Sequence, residues 1–449
     1  VRRFVGIAAL PFVAFALAQC GSDGTGAACV DCDAGADAIV DAAADGGADA
    51  TADASADAHV ASATTAVISK THRYIAGAQG MFGGWGPHLG HLVRSKEGDL
   101  WFADDSCDDS GAGACDVLVN RRLDYHRFAN GAWTRAKSQP LPSGVQQNTG
   151  TIVDGASLAT YGVNTSTSRF SECRFVTATM VASCSDVPIA LASGTNYVGA
   201  AISPAGYKVV WATTVQDGGG GSFGWIVDYG GGFNGPRTGP IGGYNDASYI
   251  HAAFYGGARA SEIAMHAQLV SGLAPNWTFT GAVGDVDTAS SNAVTFAVLA
   301  PAGSDAAIST DDIAIDPATN DAHMIARTQS GAAAYYFRAA GKSWGAPSFV
   351  LPKVYRARLI VLEDGRLALV YGPNGKGLAY RIAAMRAPGV AVDWAATPEV
   401  ALTLPNGYAN VYAIYTEAAV YQRAFPKTLN VAIVGDANQR EVLHVAIDP

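Results

Sequence analysis

The sequence predicts an all-β fold: a seven-bladed β-propeller of four-stranded antiparallel blades. Three observations carry this. The body of the chain holds no long amphipathic helical pattern. Apolar runs that lead through a Gly or polar turn into a second apolar run recur seven times, 46 to 61 residues apart. Further strands fill each interval, and four strands per unit of about 50 residues is how propeller blades repeat. A parallel α/β sheet would need helical patterns between its strands, and a β-helix would need a shorter period.

In chain order, the first element is a leader. Val1-Arg2-Arg3 is basic and Phe4 to Gln19 holds no charge. That pattern predicts a secretory signal peptide over 1–19. The run is shorter than the roughly 20 apolar residues that span a bilayer.

The next element, 20–62, predicts a disordered linker. From Asp33 to Asp57 an aspartate stands at every fourth position, with Ala and Gly almost everywhere between. A helix would stack seven carboxylates on one face, and like charges at i, i+4 destabilise it. There is no apolar stripe whose burial could offset the entropy of ordering. Forty residues of such coil reach roughly 35 Å, more with self-repulsion.

The third element is the propeller, 63–449. Its repeats begin with "GHLVRSKEGDLWFADD" at Gly90, "TGTIVDGASLATYGV" at Thr149, "VGAAISPAGYKVVWATT" at Val198 and "IHAAFYGGARASEIAMHAQ" at Ile250. They continue with "DDIAIDPATNDAHMIART" at Asp311, "ARLIVLEDGRLALVYG" at Ala357 and "NVYAIYTE" at Asn410. Later strands often carry a Trp or Pro, near Trp133, Trp277, Trp344 and Trp394. The last unit supplies three strands before the chain runs out, and "TTAVISKTHRY" from Thr64 is left over. That segment is expected to be the outer strand of the seventh blade, which closes the ring and removes two sheet edges.

Charge narrows the partners. The whole chain carries −10; 1–20 carries +2, 21–60 holds nine Asp and no base, and the body is left at −3. A nearly neutral body without a basic stripe excludes nucleic-acid binding.

Leu17-Ala18-Gln19-Cys20 resembles the lipobox of bacterial lipoproteins, although Gln19 stands where that family prefers a smaller residue. The resemblance implies cleavage before Cys20, a lipid on its sulfur and anchoring to a membrane. With no Asp directly after the cysteine, it implies the outer membrane. An ordinary secretory cut that leaves a soluble protein is the alternative. With Cys20 lipidated, six cysteines remain, in local pairs: Cys29 with Cys32, Cys107 with Cys115, and Cys173 with Cys184. An even number in an exported chain reads as disulfides; metal binding by Cys29-x-x-Cys32 is the rival.

The turn "SKEGDLWFADD" and the late Trp strands resemble the BNR/sialidase-like bacterial propellers, which include glycan hydrolases, lyases and lectins. The chain has the blade pattern without that group's Asp box or Arg-Ile-Pro motif: Tyr380-Arg381-Ile382 is followed by Ala383. The resemblance therefore implies a fold and a glycan-related role, and no specific activity.

Polar residues cluster where the inner strands begin. His88, His91, Gln146, Asn148, Tyr197, Tyr249, His251, Asp311, Asp312, Arg356, Arg358, Tyr408 and Asn410 would converge at one mouth of the central channel. Of these, His91, His251, Arg356, Arg358, Tyr408 and Asp311 are the catalytic candidates. Arg356 or Arg358 could neutralise a uronate, His91 or His251 could take a proton, and Tyr408 or Tyr249 could protonate a leaving oxygen. Asp311 and Asp312, as strand neighbours, should point to opposite faces, which argues against a paired-carboxylate glycosidase. His88, Gln146, Asn148, Tyr197, Tyr249, Asp312 and Asn410 are candidates for ligand binding. No cofactor and no transition metal are expected. Asp104, Asp105, Asp108 and Asp109 could hold Ca²⁺ through oxygen ligands, or form a solvated loop stapled by Cys107–Cys115. The leading expectation is an exported binding protein for a glycan or peptide; the alternative is a polysaccharide lyase or glycosidase.

Overall fold

The computed structural model describes residues 63–69, 91–107, 121–192, 195–214, 220–272, 276–291, 294–316, 318–374, 376–384, 387–405, 408, 411–417, 426–435 and 441–449. Their strands form seven four-stranded antiparallel sheets, the blades of a propeller. A single 3₁₀ turn, Gly257–Arg259, is the only helical element among the described residues.

Blade one comprises Leu92–Arg94, Leu100–Cys107, Arg121–Ala129 and Ala132–Pro140, and blade two Val145–Asp154, Ser157–Asn164, Arg169–Val176 and Val181–Ala190. Blade three is Thr195–Ile202, Lys208–Thr214, Ser222–Asp228 and Asn234–Pro240; blade four is Asp246–Phe254, Glu262–Ser271, Thr278–Asp287 and Ala297–Val298. Blade five is Ala307–Ile315, Ala322–Thr328, Ala333–Arg338 and Phe349–Leu351; blade six is Val354–Val361, Leu367–Pro373, Leu378–Ile382 and Val400–Leu402. Blade seven has Val411–Thr416, Leu429–Gly435 and Glu441–Ile447, and its outer strand is Ala63–Ser69. That outer strand pairs antiparallel with Glu441–Ile447 over its full length, from Ala63 opposite Ile447 to Ser69 opposite Glu441. The expected closure is therefore present. The ring is sealed at the inner strands as well, where Leu92 bridges Glu417 between blades one and seven.

The buried apolar residues fall into seven clusters, each lying between two neighbouring blades. Strand alternation produces this. In "KVVWATT", Val209 and Trp211 pack toward blade four while Val210 and Ala212 pack toward blade two. In "ARLIVLEDGRLALVYG", Leu359, Val361, Leu367 and Leu369 join the cluster with blade five, and Ile360, Leu362, Ala368 and Val370 the cluster with blade seven. A strand buried on both faces reads as an unbroken apolar run, which is why these segments stand out in the sequence. The turns inside the inner hairpins are tight: Gly98 accepts φ +94 and donates its N–H to Ser95 O, and Gly365, at φ +82, does the same to Leu362 O.

The strand boundaries correct the sequence reading. In blades two to six the inner strands begin three to four residues before the starts at Thr149, Val198, Ile250, Asp311 and Ala357, so polar residues expected in loops lie inside strands. The segments marked by tryptophan do carry later strands, but three of the four tryptophans stand just outside them. Trp133 lies in one, Trp277 precedes the third strand of blade four, and Trp344 and Trp394 stand in loops before the outer strands of blades five and six. Trp394 is fully buried, set edge-on against Tyr335.

Cys173 and Cys184, directly opposite each other on the third and outer strands of blade two, form the expected disulfide. Cys20, Cys29, Cys32 and Cys115, and the side chain of Cys107, lie outside the described residues.

Close packing of the inner strands makes one substitution informative. A Cβ on Gly199 would stand 2.7 Å from Trp211 Nε1, against a rigid indole on the neighbouring strand. Gly199→Ala is expected to destabilise the chain by about 1–3 kcal/mol through overpacking, and Trp211→Phe in the same chain should recover part of that loss. Urea unfolding monitored by circular dichroism checks it; an unchanged midpoint for the single variant would contradict the packing described.

Candidate functional site

Six of the seven inner strands break register with their partner at a similar depth. The breaks fall at Gln146/Thr149, Asn196/Gly199, Ser248/His251, Thr310/Asp312, Tyr355/Arg358 and Val411/Ala413. A bulge leaves one residue outside the ladder and re-aims its neighbours. Most of the candidates picked from the sequence lie at these bulges. Arg356 sits in one with φ +53, a left-handed conformation that costs a non-glycine residue roughly 1 kcal/mol.

The bulges bring together groups from three adjacent blades. His251 Nδ1 lies 3.2 Å from Asp312 Oδ1. Asp312 Oδ2 accepts the N–H of Leu359 at 2.9 Å, and Asp311 Oδ2 is 3.4 Å from the N–H of Ala357. Both carboxylates thus reach the inner strand of blade six, which strict alternation would forbid; the register shift between Thr310 and Asp312 permits it. Arg358 donates from Nη1 to Asp311 O at 2.9 Å and from Nε to Ile414 O of blade seven at 2.6 Å. On the far side, His266 stands directly opposite His251 in the ladder and stacks on it with ring centroids 4.9 Å apart.

Burial dominates the electrostatics of this belt. His251, Asp311 and Arg358 expose only 6%, 3% and 4% of their surface, and His266 none. Burial, and then the nearby charge of Arg358, holds the His251 imidazole well below its usual range, so it is neutral at pH 7. Burial pushes Asp312 up to about 6 against the pull of Arg358 and of the Leu359 and Ile313 N–H groups. Asp311 is raised too, opposed by Arg356, Arg327 and Arg358. Desolvation also lowers Arg358, but a guanidinium keeps its proton across the working range. Arg358 is therefore the positive centre between two aspartates, with its hydrogen bonds spent on the backbones of blades five and seven.

The remaining candidates are scattered. His91 is buried, donates from Nδ1 to Ala103 O at 2.6 Å, and meets Tyr415 edge-on at 4.7 Å. Tyr408 is in the apolar cluster between blades six and seven with Tyr380 and Leu378. Arg356 is half-buried near Asp311. His88 and Asn410, with the side chains of Gln146, Asn148, Tyr197 and Tyr249, lie outside the described residues. Among the calcium candidates, Asp104 is buried opposite Asp124 in blade one, while Asp108, Asp109 and the Asp105 side chain also lie outside them.

The sequence reading missed His266, Tyr415 and Asp246. His266 could have been found: a turn centred on Gly257–Ala260 places it opposite His251, and the two lie equally far from that centre. Tyr415 joins the belt only because blade seven follows blade six around the ring, where it neighbours both His91 and Arg358.

No family model and no curated protein matches the chain. Solved structures match in fold. An ulvan lyase from a polysaccharide lyase family designated PL25, bound to a GlcA-containing saccharide, has a TM-score of 0.53 at 9% identity over 84% of this chain and 95% of that one. A lectin from Burkholderia pseudomallei has a TM-score of 0.49 at 14% identity over 86% and 95%. A protein from Dyadobacter fermentans has a TM-score of 0.45 at 17% identity over 85% and 99%. At such identities the likeness is one of fold.

One buried acid gives the site a pH signature. Asp246 opens the inner strand of blade four, 6% exposed, and accepts hydrogen bonds from the Thr213 hydroxyl and the Ala247 N–H. Burial pushes it up to about 6 from 3.8. The folded chain therefore binds the extra proton between about pH 4 and 6, and Asp246 weakens folding as pH rises through that window. Asp246→Asn should gain roughly 2–3 kcal/mol relative to the parent on going from pH 4 to pH 7. Urea unfolding at both pH values measures this; a difference between the two chains that does not change with pH would refute it.

Proposed function

We propose that the chain is an exported, lipid-anchored propeller that binds a glycan without breaking it. The observation that carries the non-catalytic half of this reading is the state of the belt. The strongest acid, base and cation candidates do converge, but they are desolvated and bonded to one another and to neighbouring blades' backbones. A polymer substrate needs a general base it can touch, within about 3 Å of the proton removed. His251, Asp311 and Arg358 do not offer that; they hold blades four to seven together. The glycan half is supported by the fold shared with a polysaccharide-bound propeller and by the charge of the body, −3 over nearly 390 residues, which suits neither nucleic acid nor a strongly anionic polymer. Export and anchoring rest on the leader, on the Leu17-Ala18-Gln19-Cys20 pattern and on the acidic linker that would hold the propeller off the membrane.

A polysaccharide lyase is the second reading. The juxtaposition of His251, Asp312 and Arg358 across three blades favours it, since a lyase needs a base and a carboxylate neutraliser. One experiment separates the two. The full chain is incubated with neutral and anionic polysaccharides while retention and the ultraviolet absorbance of unsaturated products are followed. Retention without new absorbance is the expected result. New absorbance would transfer the protein to the lyase reading, and neither signal would remove both. For the anchor, detergent phase partitioning of the protein made in a Gram-negative host should carry the parent into the detergent phase and leave Cys20→Ala in the aqueous phase. An aqueous parent would overturn the lipoprotein reading.

A further inference from the structure

The strand that closes the ring brings an edge of its own. Ala63–Ser69 ends the sheet of blade seven, and among the described residues its backbone pairs only with Glu441–Ile447. An antiparallel strand bonded on one side turns its alternate N–H and C=O groups outward. Over seven residues that row is about 23 Å long. Ile68 is buried in the junction with blade one. Thr65 and Val67, on the alternate face of the strand, point away from that junction; Thr65 is exposed and Val67 is 42% exposed. Ala63 and Thr64 are exposed as well.

The outer strands of the other blades carry features that discourage pairing at an edge. Charge, proline and shortness are the usual ones. The strand of blade one has Arg135 and Lys137 and ends in Pro140. That of blade two has Asp186 and Pro188, and that of blade three has Pro236, Arg237 and Pro240. In blades four, five and six the outer strand is only two, three and three residues long. The closing strand, "ATTAVIS", has no Asp, Glu, Lys, Arg or Pro. Thr64, Thr65, Val67 and Ile68 are β-branched, the side-chain type that favours strands. Blade seven thus presents a long outer edge without the protection its neighbours have.

We infer that the outer edge of blade seven is an interface with a second copy of this chain. The two Ala63–Ser69 strands pair antiparallel about a two-fold axis and join two blades into one continuous sheet. Strand addition draws affinity from backbone bonds and selects a foreign peptide through pockets for alternate side chains or through charge. The exposed side chains here are Ala63, Thr64, Thr65 and Val67, small and uncharged, so the edge has no charge with which to select. A second copy fits without selection. Its edge is already held extended by Glu441–Ile447, so pairing two preformed edges loses less ordering entropy than fixing a free peptide. The symmetric contact is isologous and sets the Thr and Val side chains of the two copies across from one another, as cross-strand pairs that stabilise a sheet. The body carries −3, which gives the copies little mutual repulsion. A contact one strand long lies at the small end of interface sizes, so the association is weak and concentration-dependent.

The inference is independent of the glycan-binding role. Its test is sedimentation velocity of the full chain across the micromolar range, at physiological ionic strength. The parent should shift from monomer to dimer as concentration rises. Val67→Lys places like charges across the two-fold axis and should weaken dimerisation roughly tenfold. Val350→Lys, the same change at an equally exposed valine on the outer strand of blade five, should leave it unchanged. Val67 is exposed, so the urea midpoint of Val67→Lys should match the parent; a lowered midpoint passes the comparison to Thr65→Lys, on the same open face. A dimer that survives Val67→Lys and Thr65→Lys, or one that Val350→Lys weakens as much, would overturn this interface. A parent that stays monomeric throughout would overturn the second-copy assignment. If that monomer binds a fluorescent synthetic peptide of sequence 63–69, and Val67→Lys abolishes the binding, the edge belongs to an extended peptide instead.

Discussion

The structure depends on one edge being covered. Blade seven has only three strands of its own, and Glu441–Ile447 would end the sheet as an open row of backbone donors and acceptors. Ala63–Ser69, from the far end of the propeller sequence, fills that row through seven paired positions. The same strand places Ile68, fully buried, in the apolar cluster between blades seven and one with Leu92, Phe102 and Val442. Closure and core formation are thus one event at this junction. Burying Ile68 is worth about 2–3 kcal/mol, and the ladder beside it satisfies backbone groups that would otherwise be left to water.

The ring makes that junction matter beyond its own area. Each blade is a thin sheet with two apolar faces, and neither face is buried without a neighbour. The apolar residues form seven inter-blade clusters rather than one central core. Opening the ring at one junction removes one whole cluster and exposes two faces at once. The inner strands, drawn together at the axis, have room there for polar groups only if those groups bond across blades. Arg358, reaching from blade six to backbone oxygens of blades five and seven, shows how this is met. Removing one partner from such a buried set typically costs 3–5 kcal/mol, so these residues are fixed by the architecture itself. A convergent His, Asp and Arg set is therefore weak evidence of catalysis when each member is desolvated and committed.

Much of the fold was legible in the sequence, for a physical reason. Strands packed on both faces must be apolar at nearly every position, and "RLALVYG" or "KVVWATT" cannot hide. The turns between them are marked by Gly and Asp, and the unpaired segment at Thr64 had an obvious vacancy to fill. The boundaries were less legible. Asn148, His251, Asp311 and Arg356 look like loop residues because they are polar, yet they lie in bulged strands where the ladder tolerates them. His251, Asp312 and Arg358 lie near one another because each is carried by the inner strand of its blade. Their mutual bonding was not readable, because it depends on the spacing of blades around the ring.

Hydrogen exchange on the full chain tests the closure most directly. If Ala63–Ser69 seals the ring, the amides of Ala66 and Ile68 and those of Leu443 and Val445 should exchange through the same opening, with the slow rate of global unfolding. Exchange of 63–69 at the rate of an unstructured chain, while 441–447 remains protected, would show that the ring holds without this strand and would contradict the account.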